Sequence, residues 1–151
     1  MSDGIDWDRR LSDALQALAD NPRDRMAELQ RIQATLGKGK FAMARAMAMT
    51  YLRTVPDDPR AWDMLGAAHL YRGENEAAAA ASAKAVEHDP DYHVARYNLA
   101  CALVRLGRLD EAVAELSLCF RHAPETREHA ADDEDMRPLA DDPRFVALLD
   151  A

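Results

Sequence analysis

Cysteine is scarce in this chain of 151 residues: Cys101 and Cys119 are the only two, 18 positions apart, and no Cys-x-x-Cys pair occurs. Two such thiols stay reduced in a cytosolic chain and pack as small apolar residues, and their spacing supplies no zinc set of four. Long apolar runs are missing as well. No stretch approaches the roughly 18 residues of a membrane span, and Met1-Ser2-Asp3-Gly4-Ile5-Asp6-Trp7 lacks both the basic start and the apolar core of a secretory signal. The expected location is cytoplasmic. Catalytic wording is also absent: there is no Gly-x-Ser-x-Gly, no triad motif and no dinucleotide fingerprint. Gly37-Lys38-Gly39-Lys40 has neither the strand nor the hydroxyl of a phosphate loop, and Asp132-Asp133-Glu134-Asp135 lacks the alternating ligands and central glycine of a calcium loop. His88 and His93 flank Asp89-Pro90 instead of sharing one helix face. No enzyme activity, no metal and no cofactor are expected.

Positive charge is thin over most of the length. Residues 1–55 hold nine Lys and Arg against seven Asp and Glu, while residues 56–151 hold ten against twenty, which accounts for the net charge of -8. Phosphate contacts need clustered cations, so nucleic acid and anionic membranes are not the expected partners. The acidic part is a solvated surface or faces a basic partner.

Against these absences stands a repeated unit, clearest from Pro59 to Asp91. Trp62, Leu65, Gly66 and His69 fall on one helix face at i, i+3, i+4 and i+7, and Gly73 then breaks the helix. Ala78, Ser82, Ala85 and Val86 line a second helix that Asp89-Pro90 ends. Small residues at 66 and 78 permit close antiparallel contact. Gly39, Gly73 and Gly107 are each 34 apart, as are Pro56, Pro90 and Pro124, Ala44, Ala78 and Ala112, and Ala27, Ala61 and Ala95. Four columns in phase over three cycles mark a helical repeat array.

In these residues the chain resembles the tetratricopeptide repeat family. Trp62, Leu65-Gly66, Ala78 and Pro90 match the family pattern, with His69 and Ser82 replacing its Tyr and Phe. The next cycle matches through Leu99, Ala100, Gly107, Ala112 and Pro124; in the first, only Gly39, Phe41, Ala44 and Pro56 do. The resemblance implies an all-α fold, a right-handed α-solenoid of three helix-turn-helix repeats at 25–58, 59–92 and 93–126, with capping helices at both ends. Residues 1–24 supply the first cap: a helix over 5–20 with Trp7, Leu11, Ala14, Leu15 and Leu18 on one stripe and Asp3 as its N-cap. This helix covers the first unit, docks elsewhere, or fills the array's own groove. Adding 34 once more puts Asp141 where glycine belongs, so the array stops, and 127–151 form an acidic segment with a closing helix. There Asp142 is an N-cap, Pro143 takes the first position, and Phe145, Leu148 and Leu149 are apolar. Its wording, Leu139-x-x-Asp142-Pro143-Arg144-Phe145, is similar to the end of many bacterial members of the family.

Family members bind peptides on the concave side. Carried over by position, that implies Arg60, Asp63, Met64, Ala67, Leu70 and Tyr71 in the second unit, and Val94, Tyr97, Asn98, Cys101, Val104 and Arg105 in the third. The first would add Met26, Leu29, Gln33 and Leu36. This face is apolar, and Asp63 and Ala67 stand where a carboxylate clamp needs a cation and an amide. The implied function is a non-enzymatic adaptor or scaffold that takes a peptide or amphipathic helix of another protein, with Leu70, Tyr71, Tyr97 and Val104 as anchors. Two alternatives stay open. One is a structural module that forms homo-oligomers through exposed ends or through Met43 and Met47. The other is a thiol or metal site on Cys101 and Cys119, which would need His122 or another ligand nearby.

Overall fold

The computed structural model describes residues 4–151, all of them in helices and the turns between helices. Six helices form three antiparallel pairs: α2 (Arg25–Gly37) with α3 (Phe41–Thr54), α4 (Pro59–Tyr71) with α5 (Asn75–His88), and α6 (His93–Arg105) with α7 (Leu109–His122). Ahead of them lies α1 (Trp7–Asp20); after them come α8 (Thr126–Asp132), a 3₁₀ segment (Glu134–Leu139) and α9 (Pro143–Asp150). Inside each pair the turn passes through Gly39, Gly73 or Gly107, whose φ angles of 78°, 73° and 74° are accessible to glycine at little cost. Aspartates start four of the helices: Asp6, Asp24, Asp58 and Asp142 each accept a backbone N–H two or three residues ahead.

Two layers result. α2, α4 and α6 pack side by side as an inner row, and α1, α3, α5 and α7 lie behind them, each against its inner neighbours. Alanines set the spacing: Ala27, Ala61 and Ala95, and likewise Ala44, Ala78 and Ala112, are at most 2% exposed. At Gly66 a methyl group would stand 2.5 Å from Ser82 Oγ and 3.3 Å from Ser82 N, so α4 and α5 meet at backbone distance. Such contact buries apolar surface without a single large core, which suits a chain whose hydrophobic clusters run along its length.

The helix starts keep the period beyond the three pairs. Trp7, Phe41, Asn75, Leu109 and Pro143 begin α1, α3, α5, α7 and α9, each 34 residues after the last. α1 is thus an outer-layer helix, packed against α2 with the Trp7 ring seated on Gly37. It leaves the inner face open. Its N-cap is Asp6, which accepts from Arg9 N at 2.9 Å, because the helix starts at Trp7; the expected Asp3 cap lies outside the described residues. Leu15, expected on the packed stripe, is 48% exposed, since a single neighbour covers only the side holding Ala14. At the other end the phase also runs on. Asp133 and Pro138 prevent one continuous inner helix, and α8 and the 3₁₀ segment take its place. The 3₁₀ segment packs against α6 with Met136 and Leu139 buried, and α9 docks on α7 through Phe145 and through Arg144, which bonds Asp110 at 2.7 Å.

Ser82 Oγ is fully buried against Gly66 with no hydrogen-bond partner among the described residues. Ser82→Ala should therefore raise the unfolding free energy by roughly 1 kcal/mol. Gly66→Ala, whose methyl meets Ser82, should lower it by about 1–3 kcal/mol. Urea denaturation of the two variants measures both.

Candidate functional site: the inner face of the array

Each inner helix offers side chains to the next one before it offers any to solvent. Asp63 on α4 is buried because α6 closes over it: Asn98 Nδ2 donates at 3.0 Å and the Tyr92 hydroxyl at 3.3 Å. Burial outweighs those two donors and pushes the Asp63 carboxyl up to about 6. Ala67 and Leu70 lie in the same seam, both buried. One unit later the 3₁₀ segment plays the covering role. The Tyr97 hydroxyl donates to Asp133 at 2.6 Å, and Arg105 reaches both oxygens of Asp135 at 2.9 and 3.1 Å while also donating to the Leu70 carbonyl at 2.7 Å. Burial, and then Asp133, hold the Tyr97 hydroxyl protonated far above its ordinary range, so it remains the donor. Cys101 and Val104 complete this seam at 3% and 4% exposure.

The expected set therefore divides in two. Asp63, Ala67, Leu70, Tyr97, Cys101 and Val104 join inner helices to one another. Arg60, Tyr71 and Val94 are exposed on the open face; Arg105 is exposed but tied across the seam to Asp135 and Leu70, and Asn98 is half-buried. In the first unit Leu29 belongs to the buried group, whereas Met26 and Gln33 are exposed and Leu36 is half-buried. Met26, Arg60 and Val94, at equivalent places 34 apart, form one exposed row, and Arg60 Nη1 lies 3.8 Å from Met26 Sδ. Arg60 is also held by Asp58 through Nε and Nη2 at 3.2 Å, so its guanidinium is positioned and not free-swinging. Tyr71 stacks on Phe41 at 4.6 Å with the rings within 6° of parallel, yet is 66% exposed.

Cys101 in that seam and Cys119 outside it are both free and buried, and Cys119 Sγ faces the His93 carbonyl at 3.5 Å and Thr126 Oγ1 at 3.7 Å. Met43 points outward at 54% exposure, while Met47 packs partly into the core. The Phe41–Tyr71 stack has no counterpart among the expected contacts. Its one trace in the sequence is a 30-residue separation, linking the start of one outer helix to the end of the next inner one.

An array of helical pairs in a 34-residue phase, with an inner row and an outer layer, is the architecture of tetratricopeptide repeat proteins, and the comparisons agree. Residues 69–131 match the tetratricopeptide repeat family. The fold is similar to that of TTC0263, a thermophilic protein of Thermus thermophilus (TM-score 0.77, 19% identity, 94% of this chain and 77% of that one). It is also similar to MamA (TM-score 0.74, 18% identity, 96% and 85%) and to YrrB, described as having an unusual peptide-binding site (TM-score 0.70, 20% identity, 95% and 75%). In sequence, 86 residues are 34% identical to the mouse superkiller complex protein 3; this covers 57% of the chain and 6% of that relative's length. No helix is long and apolar enough to cross a membrane among the described residues.

The raised Asp63 carboxyl has a measurable consequence. Its folded value of about 6 lies above the unfolded 3.8, so its contribution to stability is complete below about pH 4 and is lost as pH rises through 6. Relative to Asp63→Asn, the wild type should lose about 3 kcal/mol of unfolding free energy between about pH 3 and pH 8. Chemical denaturation of both proteins over that range measures the difference.

Proposed function

We propose that this chain is a protein-interaction module that performs no chemistry and takes a peptide or amphipathic helix of another protein along its inner face. The observation that carries this reading is the open row of Met26, Arg60 and Val94 at the start of the inner helices, with the exposed Tyr71 ring at the far end of α4. Apolar anchors with one fixed guanidinium suit a short helix or extended segment that brings an apolar side chain and an acidic or backbone acceptor. Similarity in fold to YrrB, a protein described as having a peptide-binding site, supports the same reading. Asn98 and Arg105, expected to fix the backbone of the bound segment, already hold Asp63 and Asp135, so Arg60 is the polar handle of the row. Leu70 and Tyr97 hold the array together and are not the anchors to alter, because glutamate at either would disrupt the fold.

A photo-crosslinking residue in place of Tyr71 should capture a protein partner, whereas the same residue in place of Ala83, exposed on α5, should not. Met26→Glu combined with Val94→Glu, both on exposed positions of the row, should abolish capture at Tyr71 while helicity is unchanged. Equal capture from both positions, or capture indifferent to the glutamates, would contradict the proposal. The competing reading, self-association, rests on Leu15 at 48%, Met43 at 54% and Val146 at 42% exposure near the ends and outer face. Light scattering that gives the monomer mass at every concentration would remove it.

A further inference from the structure

Cys101 looks onto charge. Its Sγ and one carboxylate oxygen each of Asp133 and Asp135 lie within 4.8 Å of one another, at the seam between α6 and the 3₁₀ segment. The thiol is 3% exposed and takes part in no hydrogen bond among the described residues, unlike Cys119 with its carbonyl and hydroxyl neighbours. A buried thiol without a partner, aimed at two carboxylates, is an arrangement that a bound cation would complete. His129 stands at the rim, its Nε2 3.6 Å from Asp133 Oδ2 and its ring 5.2 Å from Tyr97.

We infer that Cys101, Asp133 and Asp135 form a binding site for a divalent transition-metal ion of the zinc type, with a water molecule in the fourth position. The ligand chemistry selects the metal class. A thiolate with two carboxylates suits zinc, whereas calcium and magnesium take oxygen sets of higher number. Zinc bond lengths put tetrahedral ligands about 3.4–3.7 Å apart, so the three atoms need to close in by little more than 1 Å at most from the separation found. Charge points the same way. Asp133, Asp135 and Arg105 with a neutral thiol sum to one negative charge; loading the cation and releasing the Cys101 proton to solvent brings the group to neutrality. Arg105 on Asp135 and Tyr97 on Asp133 act as orienting partners behind the ligands, each leaving lone pairs on the carboxylate. Asp133 Oδ1 also accepts the Asp135 N–H at 2.9 Å, which fixes the turn between the two ligands.

A six-residue 3₁₀ segment containing Pro138 makes few backbone bonds of its own, and a metal bridge to α6 would secure it in the inner row. The test uses the full chain, reduced, titrated with Co²⁺ and then Zn²⁺. The wild type should develop a saturable thiolate-to-cobalt charge-transfer band at one equivalent, bleached by Zn²⁺. The band should persist in Cys119→Ala, vanish in Cys101→Ala, and require at least about tenfold more metal in Asp135→Asn. If Cys101→Ala fails to fold, the Cys119 and Asp135 arms still decide. No band in the wild type, a band that survives Cys101→Ala, or one lost with Cys119 overturns the site.

Discussion

Helices that approach to backbone distance through alanine and glycine are the constraint on which everything else in this protein depends. Ala27, Ala61 and Ala95 in the inner row, and Ala44, Ala78 and Ala112 behind it, are completely or nearly completely buried. A larger side chain in any of these columns would push one pair away from the next and alter the angle at which the following pair stacks. The 34-residue phase is the sequence-level trace of that contact. Because the contact is local, it propagates from neighbour to neighbour, and the start of α9 at Pro143 still falls on it after the inner helix has been broken.

Close packing also decides what is left for other molecules. When inner helices touch, positions along their facing sides become the glue of the array, as Asp63 with Asn98 and Tyr97 with Asp133 illustrate. The places that point away from both neighbours stay open, among them Met26, Gln33, Arg60, Val94 and the end of α4 at Tyr71. The open face is consequently narrower than the resemblance implied. Polar residues within the seams, such as Asp63 and Arg105, tie one unit to the next.

Most of the fold is legible in the sequence, since periodic glycines, prolines and alanines state the helix pairs directly. α2 is the least legible of the six, because Glu28, Arg31 and Ile32 stand where Trp, Leu and Gly are expected, and tertiary packing of Leu29, Ile32 and Ala34 carries it instead. In the tail, where the sequence suggests that the array stops, the helix starts keep the phase. Its composition hides this, for Asp133, Asp135 and Pro138 replace the residues that announce an inner helix. Site residues are harder still. Family positions specify which helix face a residue occupies, but not how near the next helix comes, so Tyr97 and Cys101 look available in sequence and are covered in the fold. The meeting of Cys101 with Asp133 and Asp135 spans more than 30 positions and has no local spacing to betray it.

The most direct measurement is hydrogen exchange resolved along the chain, because Glu134–Leu139 sits in the inner row as a structural neighbour of α6. Amides bonded within this segment, Met136 to the Asp133 carbonyl and Ala140 to that of Arg137, should be protected and should open together with those of α6. Exchange of residues 134–140 at the rate of an unstructured chain, while α6 remains protected, would contradict it.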